Sequence, residues 1–177
     1  AARGDVTEAT SWLERLLADR LSPNSVCCTA LINVCANAGD VAGARQWMDR
    51  MLELGLSTNL LSWSMQINAC ARRGEPIEAS RRLTQMLAIS QTPDTVCYTA
   101  VIGSYARAAD THGAVKWHGE LLNAGLVPDV ACYNAVLSSF ARNAAAAEMA
   151  KWFEKMAAAS MSPNAISYNI AVDASAR

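Results

Sequence analysis

An excess of one sign of charge is the first thing this sequence lacks. Its 177 residues carry 15 Lys and Arg against 16 Asp and Glu, a net charge of -1 at pH 7 and a pI near 6.1. That balance excludes binding to a polyanion by bulk charge, so any nucleic-acid role must rest on a local arrangement of basic side chains. Aromatic residues are scarce at 6%, whereas 52% of the chain is hydrophobic and 18% charged. Such a composition suffices for a core, differs from that of a disordered chain, and with its abundant alanine leans to helix rather than sheet. Also missing is any run of about twenty apolar residues. The long uncharged stretches are interrupted by polar residues, Leu54 to Ala71 by Ser57, Thr58, Asn59, Gln66 and Asn68 and Leu21 to Gly39 by Ser22, Asn24, Ser25, Thr29, Asn33 and Asn37, so no segment is suited to span a membrane. The chain opens at Ala1 without a Met or a charged-then-apolar leader. A targeting peptide is therefore expected to have been removed or to lie outside this segment.

The constellations of catalysis and metal binding are absent too. The only histidines, His112 and His118, differ by six residues and so sit on different faces of a helix, and no Ser-His-Asp or phosphate-loop pattern occurs. No catalytic residue and no cofactor is expected. The six cysteines, Cys27, Cys28, Cys35, Cys70, Cys97 and Cys132, form no C-x-x-C pair and no ligand spacing with either histidine. They are expected to be small buried thiols rather than metal ligands or a disulfide framework.

What the sequence does contain is an internal repeat of 35 residues, and a fixed period of this kind governs the whole interpretation. Pro23, Pro93, Pro128 and Pro163 share one column with Thr58 in the remaining place, and the next column reads Asn24, Asn59, Asp94, Asp129 and Asn164. Ala36, Ala71, Ala106, Ala141 and Ala176 form another, as do Ile32, Ile67, Ile102, Leu137 and Val172. Trp12, Trp47, Trp117 and Trp152 recur in register, with Leu16, Met51, Met86, Leu121 and Met156 four residues on.

Each unit reads as two helices. The first whole unit places one helix at about 26–36, with Leu31, Ile32 and Cys35 at helical spacing, stopped near Gly39. Asp40 caps a second helix whose stripe of Val41, Ala44, Trp47, Met48 and Met51 ends at Gly55, a residue suited to a left-handed terminal position. Pro76 sits where a first-turn proline is tolerated, and Asp110 repeats the cap. A single hairpin of helices cannot bury both stripes, so neighbouring units must stack into a solenoid. Whole repeats are expected at 25–59, 60–94, 95–129 and 130–164, with partial repeats at 1–24 and 165–177. Because both ends cut a repeat, the chain is expected to be a segment of a longer array.

The 35-residue unit, with Tyr-Asn or Tyr-Thr near its start and Pro-Asp or Pro-Asn at its end, resembles the pentatricopeptide repeat family over the whole chain. Tetratricopeptide repeats differ in period, 34 residues, and their Leu-Gly and Tyr signature is missing. Thr58 replaces the proline, Cys28 and Trp63 replace the tyrosine, and Arg82 stands in the Trp column, so the second unit is the least regular. The resemblance implies an all-α fold, a right-handed α-solenoid superhelix, that binds single-stranded RNA at one base per repeat.

One narrow face of each first helix carries residues i, i+3, i+7 and i+11. The strips read Val26, Thr29, Asn33, Asn37; Leu61, Ser64, Asn68, Arg72; Val96, Thr99, Gly103, Arg107; Ala131, Asn134, Ser138, Arg142; and Ile166, Asn169, Asp173, Arg177. Stacked, they line a groove with Arg72, Arg107, Arg142 and Arg177 along one side, suited to the phosphates of a single strand. An ordinary solvated helix face is the plainer alternative. The resemblance further implies that the fifth and last residues of each unit read the base and the second packs on it. Guanine and uracil present a ring N–H that a carboxylate accepts, whereas adenine and cytosine present a bare nitrogen that suits an amide donor. Thr29 with Asn59 then resembles an adenine reader, Ser64 with Asp94 and Thr99 with Asp129 guanine readers, and Asn134 with Asn164 a pyrimidine reader. Asn169 begins a further pyrimidine site. The family orientation implies 5′-A-G-G-Y-3′, with Val26, Leu61, Val96, Ala131 and Ile166 packing on the bases, or instead packing between helices. For Asp94 and Asp129, turn chemistry after proline is an equal alternative. By the same resemblance the chain acts in mitochondria or plastids, in RNA processing, stability or translation. A scaffold subunit of a large organellar assembly is the competing class, motivated by the acidic pI and the few basic residues.

Overall fold

The computed structural model describes residues 2–143 and 145–176, and among these no strand occurs. Ten helices follow one another along the described residues: α1 (Ala2–Ala18), α2 (Ser25–Asn37), α3 (Val41–Glu53), α4 (Leu60–Arg73), α5 (Pro76–Ala88), α6 (Thr95–Arg107), α7 (Thr111–Asn123), α8 (Val130–Arg142), α9 (Ala146–Ala158) and α10 (Ala165–Ser175). Their boundaries follow local chemistry. Asn24, Asn59, Asp94, Asp129 and Asn164 each stand in extended backbone and accept, through a side-chain oxygen, the N–H three residues on, which relieves one of the unpaired donors of the first turn. Asp40 and Asp110 cap α3 and α7 by accepting from the N–H groups of Gly43 and Gly113, and Pro76 opens α5.

The second helices end in a left-handed residue, and the position recurs with the repeat as Arg20, Gly55, Ser90, Gly125 and Ser160. At Gly55 the N–H of Leu56 reaches back to Met51 and that of Gly55 to Leu52, the paired bonds that close a helix C-terminus. The same bonds form at Ser90, from Gln91 to Met86 and from Ser90 to Leu87. There the backbone adopts φ 59° without the freedom of glycine.

The stacking is asymmetric. The first helices α2, α4, α6, α8 and α10 pack on one another in one continuous layer, whereas the backbone of each second helix comes close only to first helices. The structure is an all-α repeat solenoid. Ile32, Ile67, Ile102 and Leu137 are fully buried along the first-helix layer, and Met51, Met86, Leu121 and Met156 seal the second helices against it. The tryptophan column behaves less uniformly than its register suggests. Trp47 and Trp152 are buried, Trp117 is only half-buried against Tyr98, and Trp12 is 61% exposed. In the remaining place Arg82 has no exposed surface and pairs with Asp49 at 2.6 Å and Glu78 at 3.1 Å. Its guanidinium thereby links α5 to α3, two helices whose backbones do not meet. Five of the six cysteines are buried, Cys27 is half-buried, and all six are free thiols.

Candidate nucleic-acid interface

The free face of the first-helix layer carries the second residues of the units. Val26, Leu61, Val96 and Ile166 are 75, 53, 57 and 58% exposed, although Cys28, Ser62, Cys97 and Ser167, one or two places on in the same helices, are buried. Ala131 is exposed as well. These aliphatic groups therefore do not pack between helices, the alternative open from the sequence; they project into solvent, where an apolar surface gains by covering a flat ligand.

Beside them the fifth and last residues of units 25–59, 95–129 and 130–164 converge. A groove of about 280 Å³ is lined by Val26, Thr29, Asn33, Asn59, Leu61 and Met65, and another of about 350 Å³ by residues including Val96, Thr99, Asp129, Ala131, Arg72 and Arg107. In unit 130–164 the pair is in direct contact, Asn134 Nδ2 donating to Asn164 Oδ1 at 3.3 Å. In unit 60–94 it is not: Ser64 turns its hydroxyl back to the Leu61 carbonyl at 3.0 Å. Asn169 is exposed on α10.

The last residues have a second role. Asp94 and Asp129 are helix caps, each holding through Oδ1 the N–H of Cys97 or Cys132, at 2.9 and 2.7 Å. Turn chemistry is thus present at both positions, and it occupies one carboxylate oxygen. Asp129 Oδ2 forms no hydrogen bond among the described residues and is available to a ligand.

The arginine column is not uniform either. Arg72, Arg107 and Arg142 are exposed, but Arg72 Nη2 donates to the Ala36 carbonyl at 3.0 Å and so closes the end of α2 in the preceding unit. Arg107 lies back over its own helix, where a Cβ on Gly103 would come 3.4 Å from Nη1. Arg142 shares a hollow with Ser138 and Asp173. Arg177 lies outside the described residues.

Sequence reasoning passed over the third residue of each unit, Cys27, Ser62, Cys97, Cys132 and Ser167. Every one donates its N–H to the cap, and the side chains of Ser62 and Ser167 reach the fifth and last residues of the unit before. The recurrence at 35 residues was the available signal. The thiols of Cys97 and Cys132 are pushed up to about 12. Burial is the main cause for both; the Asp94 carboxylate adds to it at Cys97, and the Thr99 hydroxyl opposes it at Cys132. Such thiols are neither nucleophiles nor ready metal ligands at neutral pH. Among the described residues no group of His, Cys, Asp and Glu is placed to hold a metal ion, and no helix is long and apolar enough to cross a membrane.

The sequence matches the model of the PPR repeat family over residues 23–72, 93–142 and 128–177. No match among curated proteins is significant. Among solved structures it is similar to the pentatricopeptide repeat protein PPR10 from maize, at 25% identity and a TM-score of 0.77 over 96% of this chain and 24% of that one. The structure of PPR10 in complex with an 18-nt psaJ RNA element matches at 20% identity and a TM-score of 0.74, over 93% of this chain and 24% of that one. The PPR domain of Arabidopsis thaliana protein-only RNase P 1, in complex with tRNA, matches at 15% identity and a TM-score of 0.81, over 99% of this chain and 92% of the domain. The chain thus spans about a quarter of the length of the maize protein.

Proposed function

The chain belongs to the PPR repeat family, and from that premise we propose that it is a non-catalytic module that reads single-stranded RNA, one base per unit. The observation that carries this reading is the hollow in unit 95–129. An exposed aliphatic residue, Val96, stands beside Thr99, the Asp129 carboxylate and the guanidinium of Arg107. Those groups supply, in one place, an apolar surface for a base face, acceptors and a donor for its edge, and a cation for its phosphate. Solved PPR proteins in complex with RNA support the same direction. The target is 5′-A-G-G-Y-3′ across the four whole units, and the role is in processing, stability or translation of organellar transcripts, as the family resemblance implies.

The test is a titration of the chain with short single strands carrying A-G-G-Y or its complement. The reading expects preference for A-G-G-Y at physiological salt. Equal or no binding of the two strands would overturn it and leave the solenoid as a surface for protein contacts.

A further inference from the structure

Two of the four whole units tie their reader pair to the third residue of the unit that follows. The N–H of Ser62 can only donate, so the Asn59 atom 2.9 Å from it is Oδ1, and the Ser62 hydroxyl, 2.8 Å from the same oxygen, donates to it too. Serine has one hydroxyl proton. The 3.0 Å bond between Thr29 Oγ1 and Ser62 Oγ is therefore donated by Thr29. Thr29 is left with lone pairs to offer a base, and Asn59 with its amide N–H groups. That pattern complements the pairing edge of adenine, an amino donor beside a bare ring nitrogen.

Ser167 does the same for unit 130–164. Its N–H fixes Asn164 Oδ1 inward at 3.1 Å, and its hydroxyl donates to Asn134 Oδ1 at 2.6 Å. Both reader amides have their carbonyl oxygens engaged, and Asn134 is buried as a result.

In the units ending in Asp94 and Asp129, the third residues are Cys97 and Cys132. Their backbone N–H groups keep the cap, but a thiol is a weak donor and acceptor. Thr99 Oγ1 is accordingly buried with no hydrogen-bond partner. Only the weak contact with the Cys132 thiol holds its proton and its rotamer, and turning toward a base acceptor such as guanine O6 breaks no strong bond. Asn24 with Cys27 keeps the same cap.

We propose that the third residue of each unit is a positioning residue that sets the hydrogen-bonding polarity of the preceding reader pair. Serine at Ser62 and Ser167 ties the fifth residue inward, and cysteine at Cys132 leaves the Thr99 hydroxyl able to turn to a base, whereas above Cys97 the Ser64 hydroxyl donates to its own helix at the Leu61 carbonyl. The proposal rests on the base-reading assignment above.

The experiment uses the full chain with Ser62→Cys and Cys132→Ser, each titrated with four short RNAs that differ only at the first base for Ser62 and the third for Cys132. Ser62→Cys should weaken the preference for A over G, and Cys132→Ser that for G over A, each by about fivefold or more, the discrimination that one base-edge hydrogen bond supplies. Thermal unfolding should stay the same, because the cap is a backbone N–H bond in both variants; Ser62→Ala repeats the first arm should Ser62→Cys unfold. A wild-type base preference that the substitutions leave unchanged, or a uniform loss of affinity for all four strands, overturns the positioning role and leaves the RNA reading standing. A wild-type chain without base preference at either position overturns both.

Discussion

Trp63 donates its indole N–H to Thr58 Oγ1 at 3.0 Å, inside the core. Each residue is a departure from the repeat, Thr58 for the proline of the other units and Trp63 for the tyrosine, and the structure makes them a single departure. Thr58→Val keeps the shape and deletes the acceptor, leaving a buried indole N–H unpaired. We expect a loss of about 1–3 kcal/mol in denaturant unfolding. The loss should vanish in a Trp63→Phe background, where no N–H remains to be satisfied; an equal loss there would mean that the bond contributes nothing.

Asp129→Asn tests the base reader without disturbing the cap, since Asn24, Asn59 and Asn164 cap their helices by the same bond. The amide presents a donor where the carboxylate presents an acceptor. Preference at the third base should move from guanine toward adenine by roughly fivefold or more. Identical profiles for wild type and variant across the four bases would reduce Asp129 to a helix cap.

Arg107 and Arg142 are free of protein carbonyls, whereas Arg72 is not. Replacing Arg107 and Arg142 by Ala should weaken binding to every RNA sequence alike and lower the salt slope by about 0.7 for each phosphate that is no longer neutralised. Arg72→Ala should in addition cost about 1 kcal/mol of stability, because the Ala36 carbonyl then has no guanidinium donor. A salt slope unchanged in the double variant would remove the phosphate role.

His118 is 4% exposed, packs edge-on against Trp152 at 4.9 Å, and leaves Nε2 without a hydrogen-bond partner. Burial, helped by the charge of Lys155, lowers its pKa from 6.5 to about 4. The unfolded chain therefore takes up the proton first as pH falls. Stability from this group is complete above about pH 6.5 and is lost as pH falls toward 4, by at most about 3 kcal/mol. Urea unfolding between pH 7 and 4 should show this loss, and His118→Phe should flatten it; an equal slope in both proteins would place the acid sensitivity elsewhere.

Ser90 occupies the left-handed position that Gly55 and Gly125 hold in other units. Ser90→Gly relieves a side-chain penalty there and should stabilise the chain by about 1 kcal/mol, read as a higher midpoint in urea. Trp117→Ala, by contrast, should cost less than the ~3–5 kcal/mol of a fully buried ring, because half-burial forfeits part of the transfer free energy.

The sequence by itself determined the helices, their order and their stacking. Most helix starts are written in a cap residue and several stops in a glycine, both within a turn of where they act, and a period of 35 leaves stacked pairs as the way to bury both stripes. The strip of second, fifth and last residues was legible for the same reason, since spacing along one helix fixes a face. Only the tertiary structure decided which of those groups are free. Arg72 reaches a carbonyl 36 residues away, Arg82 is buried by bridging α5 to α3, and Thr29 meets Ser62 across 33 residues. Each depends on how far apart two stacked helices lie and how they are turned, quantities that side-chain packing sets and that spacing along the chain leaves open.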